Sequence, residues 1–499
     1  MNILLPALYA ALFLFIIARS RAFRFEALPA WLMPAVFILK LLAGIALWYI
    51  YTYYYTDRST SDIWKYFDDS EIMFRAATQS PADYLRMLTG IGDDAPHIAQ
   101  TYYQKMNFWH QQFDSPFFND GRTMIRLNAL LRLVSFGNYH VHAVIMSFAS
   151  LTGLTLVYRT LCHALRGWGI PGAVVVFLLP SVLFWSSGVL KEGLLWFAIG
   201  VLLWAVMTEN RKHRWFRIIA GVAAAWLIAA TRLYVLAALL PALGGWAIAK
   251  RFSWPAWKAA GSVLLITIAA IFVLRIWPQT DAVRLIALKR NDFINLARGG
   301  TYIYDSTRVI HLDASYHDAL IHVTDSTLRI RSGTPVRSWG IAGDFMDTLS
   351  ISNFSDSTTF RLLSDMPRAG SLSSTTYIKP EVSSLLKIFP EAMFSIILRP
   401  LPHEARSLPL IPAAAETILL LILCVLLPFA FRRTPDAAVA AFCIVFVLLL
   451  FVVTGITTPV TGAAVRYKSI ALPFLFAGLL MFIRPQKLPD FLQKLFRIN

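Results

Sequence analysis

The chain reads as a mostly α-helical, polytopic membrane bundle of about eleven transmembrane helices carrying a small extracytoplasmic β-rich insert. Three observations predict this. Of its 499 residues, 57% are hydrophobic and only 15% charged. Windows of about 20 mostly apolar residues, enough to cross a bilayer's hydrocarbon, recur along the chain. Its Lys and Arg residues fall in the short connections between those windows, where membrane topology puts them. The formal charge of +17 is therefore a topological signal, and nucleic acid is not an expected partner. Cys162, Cys424 and Cys443 lie within or beside the apolar windows and imply no disulfide framework.

Spans are expected at about 3–18, 31–53, 139–160, 170–189, 191–208, 216–231, 233–249, 258–276, 409–430, 437–456 and 467–483. The first starts Met-Asn, without the basic n-region and small-residue cleavage site of a signal peptide, and reads as a retained helix. Arg19, Arg21 and Arg24 follow the first span, Arg159 and Arg166 the third, and Arg211, Lys212, Arg214 and Arg217 the fifth. Lys250, Arg251 and Lys258 follow the seventh, Arg432 and Arg433 the ninth, and Arg484, Lys487, Lys494 and Arg497 end the chain. Every odd-numbered exit is basic and hence cytoplasmic, which puts the N-terminus outside and the C-terminus inside.

By the same alternation the two long segments, 54–138 and 277–408, are extracytoplasmic, dividing the chain into regions 1–276, 277–408 and 409–499. The first segment is aromatic and ends in IRLNALLRLV, whose leucines recur at the spacing of an interfacial amphipathic helix. In the second, TYIYD, RVIHLD, ALIHVT and LRIRS alternate with period two between Asp/Ser/Thr/Gly turns, the pattern of strands. A hairpin is expected at Asp325-Ser326. The triplet Asp-Ser-Thr at 305–307, 325–327 and 356–358 is turn chemistry without a fixed period. The insert closes with SLLKIFPEAMFSIILRP, an amphipathic, proline-broken return to the membrane surface.

The candidate chemistry centres on Ser61 to Ala77, SDIWKYFDDSEIMFRAA, just beyond the second span. Asp62, Asp68, Asp69 and Glu71 crowd a segment that also holds Trp64, Tyr66 and Phe67, with apolar positions fitting a helix on the bilayer surface. The alternative is a solvated acidic juxtamembrane helix. Lys191 and Glu192 sit between two spans with almost no loop; Arg232 occupies an equivalent outward turn, and Arg466 and Lys468 begin the last span on that side. Positive charge there runs against the positive-inside bias, and Arg and Lys both bind phosphate. Together they are expected to form a basic pocket facing the acids; the alternative is that each snorkels to headgroups. Lys40 is expected to snorkel to the cytoplasmic side and Glu416 to pack against a basic residue. His110, His140 and His142 have no defined metal-ligand spacing, Asp93, Asp94 and Asp114 are ordinary loop acids, and no phosphate-cradling, nucleophile-elbow, haem or zinc motif occurs.

This pattern resembles the GT-C glycosyltransferases, integral-membrane enzymes that use polyprenyl-phosphate-linked sugars. The likeness rests on Asp62-Ile63-Trp64-Lys65-Tyr66 in the first large external loop, which is similar to the family's Asp-Glu-x-x-Tyr-type motif. It rests also on amphipathic juxtamembrane helices in that loop, on seven spans (the second to eighth) and on a large external loop after them. Two departures are an additional N-terminal span and Ile63 where the family has Glu, which leaves open whether Asp62, Asp68 or Asp69 fills the acidic role. The resemblance implies an enzyme of a cell envelope, in a bacterial inner membrane, moving sugar to a glycan, lipid or protein acceptor. The loop acid would be the base, with Tyr66 and Glu71 on the acceptor side and Lys191, Arg232, Arg466 and Lys468 on the lipid phosphate. No cofactor is named, and a divalent metal stays open. The rival classes are a lipid-linked oligosaccharide polymerase or ligase, and a non-enzymatic transporter or scaffold. Against transport, the sequence has no internal repeat or paired broken helices.

Overall fold

The computed structural model describes residues 3–488 and 493 apart from 56–57, 59–60, 110–119, 209–212, 278–279, 305–307, 325–326, 341–349, 354–357, 367–370, 406 and 408–409. Among these, six helices are long and apolar enough to cross a membrane: Leu32–Tyr54, Tyr139–Leu161, Arg214–Arg251, Ala256–Leu274, Leu410–Phe429 and Ala437–Thr457. A seventh is added if Thr461–Lys468 and Leu472–Phe482 together make one broken span. The architecture is thus a mostly helical, multi-pass membrane protein. Contacts divide it into two compact units: Met1–Ala260 with Ile418–Val447 and Ser469–Asn499, and Gly261–Thr417 with Leu448–Lys468.

In the first unit the most extensive packing joins Tyr139–Leu161 to Lys191–Met207. Glycine permits it: a Cβ on Gly153 would come 2.1 Å from the Trp196 carbonyl oxygen, and one on Gly200 2.2 Å from that of Gly153. Met146 lies against Gly193 and Gly153 against Gly200, so the two helices run parallel and Tyr139 and Lys191 share one end of the unit. Arg214–Arg251 is 38 residues long, with one break, at Arg232 (φ −151°, ψ 76°). Arg217 donates to the Thr208 carbonyl past the far end of Lys191–Met207, while Arg232 meets Glu192 at its start, so residues 214–231 run antiparallel to it. Beyond the break, Lys250 meets Asp436 at 3.0 Å. The 430–436 stretch pairs with 482–484, and Trp168 Nε1 donates to the Leu480 carbonyl next to them. Trp168 lies just past Leu161, so residues 233–251 return to the end from which 214–231 set out. The separate expected spans 216–231 and 233–249 are therefore two halves of one helix folded back at Arg232.

The expected single span 170–189 is broken. Gly169–Phe177 and Pro180–Trp185 are separate short helices, because Pro180 has no N–H to continue the ladder. A buried turn, 186–190, then leads into Lys191. Lys40 does not snorkel: its side chain is fully buried and donates to the Ser186 hydroxyl at 2.6 Å and carbonyl at 3.3 Å. Over this end lie two amphipathic helices, Asp62–Gln79 and Asp120–Ser135, as the apolar spacing predicts. Ile63, Trp64 and Phe67 bury against Leu47, Tyr139, Val189 and Leu190, while Leu130 and Leu133 stay exposed on the second helix.

The second unit holds a seven-stranded antiparallel sheet of β1 (Gly300–Tyr304), β2 (Arg308–Asp313), β3 (Leu320–Thr324), β4 (Thr327–Ile330), β5 (Pro335–Gly340), β6 (Ser350–Asn353) and β7 (Thr359–Met366). Its order is β3-β4-β7-β1-β2-β5-β6, with Ile303, Ile310, Leu312, Leu328, Ile330, Val336 and Phe360 as the core of one face. β3 and β4 form the expected hairpin, whose turn residues Asp325 and Ser326, like most of the Asp-Ser-Thr triplets, lie outside the described residues. The return segment is one helix, Val382–Leu398, which runs through Pro390 instead of breaking there. Glu416 and Lys468 are both buried, and their charges act on one another.

Candidate functional site

Where Asp62–Gln79 and Asp120–Ser135 cover the Tyr139 and Lys191 end of the first unit, five charged side chains meet. Lys191 is buried and its Nζ lies 2.5 Å from Asp120 Oδ2 and 5.3 Å above the Tyr66 ring centre. Asp120 acts on its charge most strongly, followed by Arg232 and Asp62. Arg232 is held by Glu192, Nη2 to Oε1 at 3.0 Å, with the carboxylate wholly enclosed. The break in Arg214–Arg251 puts Arg232 there, and the Thr123 hydroxyl donates to the Ala230 carbonyl beside the break at 2.9 Å. Burying charge is tolerable only when it is paired, and here each cation has its own carboxylate.

Asp62, Tyr66, Lys191 and Arg232, which the sequence singled out from three separate stretches, thus come together. The other acids of the segment turn elsewhere. Asp68 takes the Arg58 guanidinium on both oxygens, at 2.7 and 2.6 Å, and that guanidinium stacks on Trp64. Asp69 is enclosed and accepts the N–H groups of Asn107 (2.9 Å) and Phe108 (2.7 Å), so it anchors the following loop. Burial pushes its carboxyl up to about 6, against the pull of those two N–H groups. Glu71 pairs with Arg75 at 2.6 Å, which holds it below the usual carboxylate range, and lies 3.8 Å from Arg132. Arg132 in turn donates to the Phe67 carbonyl and Ser70 hydroxyl.

Arg466 and Lys468 belong to the second unit, on Thr461–Lys468. Both are buried, and Lys468 donates to the Arg399 carbonyl at 2.6 Å. Of the histidines, His110 lies outside the described residues, as does Asp114. His140 packs on Trp48, and His142 bridges Asn128 and Ser135 at 2.7 Å each. That Ser-His-Asn array is sealed, with all three side chains buried. Among the described residues no group of three His, Cys, Asp or Glu side chains could hold a metal ion.

The sequence reading missed Asp120 as part of the cluster. Its only local signal is an acid opening an amphipathic helix, which is ordinary helix-end chemistry. It also anticipated a basic pocket, whereas the cluster holds two cations (Lys191, Arg232) and three carboxylates (Asp62, Asp120, Glu192). The class defined by fold and cluster is a multi-pass helical membrane protein with a buried, mixed-charge centre at one end of its first unit. Comparison of the chain with protein-family models, with curated proteins and with solved structures returns no match.

Proposed function

We propose that this protein is an integral-membrane glycosyltransferase that moves a sugar from a polyprenyl-phosphate carrier to an extracytoplasmic acceptor. The observation that carries the reading is the meeting of Asp62 and Asp120 around Lys191, above Tyr66, with Arg232 alongside. A lipid-borne sugar at a membrane face needs a carboxylate to activate a hydroxyl and cations to receive a phosphate. In this scheme the acceptor hydroxyl attacks the anomeric carbon and its proton passes to a carboxylate. The bond from that carbon to the phosphate oxygen breaks, and polyprenyl phosphate leaves with the electron pair. Lys191 and Arg232 are the cations that meet the charge as it develops.

Asp62 is the base in this scheme: it is the acid of the Asp62-Ile63-Trp64-Lys65-Tyr66 stretch, and its charge acts on Lys191. Because the cluster carries one more carboxylate than cation, an incoming phosphate has to displace a carboxylate from Lys191 or Arg232. Arg232, with its planar fork, is the better placed to hold two phosphate oxygens.

The reading includes about eleven spans, with 54–138 and 277–408 outside. The fold-back at Arg232 supports it, because each half, of about 27 Å at 1.5 Å per residue, is then one crossing. So do the exposed Tyr49, Tyr53, Tyr54 and Tyr55 near one boundary and Trp215, Phe216, Phe252, Trp254 and Trp257 near the other, the residues of interfacial belts.

The test is transfer from polyprenyl-phosphate-linked sugars by protein reconstituted in liposomes. Asp62→Asn should fold normally and lose roughly 10²–10⁴-fold in rate, as expected for a lost base. Full activity in Asp62→Asn together with loss in Arg232→Lys would favour the polymerase or ligase reading instead.

A further inference from the structure

The turn 186–190 is irregular backbone enclosed at membrane depth, where every freed carbonyl needs a partner from the protein. Three side chains converge on it. Lys40 donates to the Ser186 carbonyl and hydroxyl, Ser150 to the Ser186 carbonyl at 2.8 Å, and Ser147 to the Ser187 carbonyl at 2.9 Å. Gly44 completes the grip, since a Cβ there would stand 2.5 Å from the Ser187 carbonyl oxygen. The turn runs directly into Lys191 and Glu192, and its Val189 and Leu190 form the floor on which Ile63 and Trp64 rest, next to Asp62.

We propose that Lys40 is a positioning residue: it clips the 186–190 turn and so sets Lys191 and Glu192 against Asp120, Asp62 and Arg232. It touches no reacting atom. This rests on the reading of that cluster as the active site, but the clip itself does not depend on what is transferred. Lys40 acts as a hydrogen-bond donor and not as a cation. Both its bonds end on Ser186, one on the hydroxyl and one on the carbonyl, and neither acceptor is a carboxylate. A fixed charge at this depth without a counter-ion is costly.

The test compares Lys40→Met, which keeps the bulk and loses both donors, with Lys40→Arg, which keeps donors and imposes a permanent charge. The readout independent of activity is carbodiimide coupling of Lys191 to Asp120, followed by mass spectrometry of the joined peptides. Lys40→Met should purify as a folded protein and yield roughly two- to tenfold less of that amide, the factor one lost buried hydrogen bond supplies. Lys40→Arg should not rescue it. With polyprenyl-phosphate-linked sugar, Lys40→Met should raise KM by a similar factor and leave kcat nearly unchanged. If Lys40→Met does not fold, Ser150→Ala, which removes one donor from the same carbonyl, should lower coupling in the same direction. Wild-type coupling in the folded variants would overturn the clip. Wild-type coupling in Lys40→Arg would show that a permanent charge is accommodated there and overturn the statement that Lys40 does not act as a cation. Reduced coupling in a protein that transfers no sugar would keep the clip and reject the glycosyltransferase.

Discussion

At the scale of single residues, burial decides which carboxylates are free to act. Asp69 sits beside Asp68 in sequence, yet one is enclosed on backbone N–H groups and the other half-exposed on Arg58. The Asp69 carboxyl is raised from 3.8 to about 6, so the fold disfavours its ionisation. Its contribution to stability is then fully present below pH about 4, is lost as the pH rises through about 6, and is flat above. The shift corresponds to a change of order 3 kcal/mol. Asp69→Asn cannot titrate, so the stability of wild type relative to this variant should fall between pH 4 and 6.5. Thermal midpoints in detergent read this directly, and a pH-independent difference would reject it.

Lys191 makes a second case. Removing one partner of a buried ion pair typically costs 3–5 kcal/mol, because the other charge is left stranded. Asp120→Asn should therefore destabilise strongly, and adding Lys191→Met should restore much of the loss. A double variant no more stable than Asp120→Asn alone would mean that Asp62 or solvent already compensates Lys191.

At the scale of elements, the folded-back helix shows what hydropathy reads and what it does not. Between 218 and 249 the only charged residue is Arg232. The structure breaks the helix at that residue, where its side chain reaches Glu192. The broken segment 169–185 is the opposite case. Pro180 was visible, but the irregular turn after it, 186–190, only becomes tolerable because Lys40, Ser147 and Ser150 supply donors from helices remote in sequence. The period-two runs of 301–332 found β1 to β4 because alternation is local. They could not foresee that β7, the last strand in sequence, lies between β4 and β1.

At the scale of the whole molecule, sidedness turns on the Arg214–Arg251 helix. If this helix folds back within the bilayer, cysteines at Arg214 and Trp254 lie on the same side; if it crosses once, they lie on opposite sides. A membrane-impermeant thiol reagent applied to intact cells should leave both unlabelled, along with Thr434→Cys, and should label Ser80→Cys and Ser315→Cys. Labelling at one of Arg214→Cys and Trp254→Cys but not the other would remove the fold-back topology and, with it, the placement of 54–138 and 277–408 on one and the same side.

The sequence alone determined the membrane class, because apolar length and loop charge are properties of the chain that no packing can reverse. It also determined the amphipathic cover helices and the β3–β4 hairpin, since their periods are written within a dozen residues. It put Asp62, Tyr66, Lys191 and Arg232 among the residues of interest because charge beside apolar spans is expensive wherever it occurs. Only the tertiary structure decided which of these charges meet. Asp120 enters the cluster and Asp69 leaves it through contacts that span tens of residues, while Asp68 and Glu71 are taken by the nearer Arg58 and Arg75. Lys40 passed for a snorkelling lysine until its partner, Ser186, came to it from 146 residues away. Pairing and enclosure are properties of neighbours in space, and linear spacing carries no record of them.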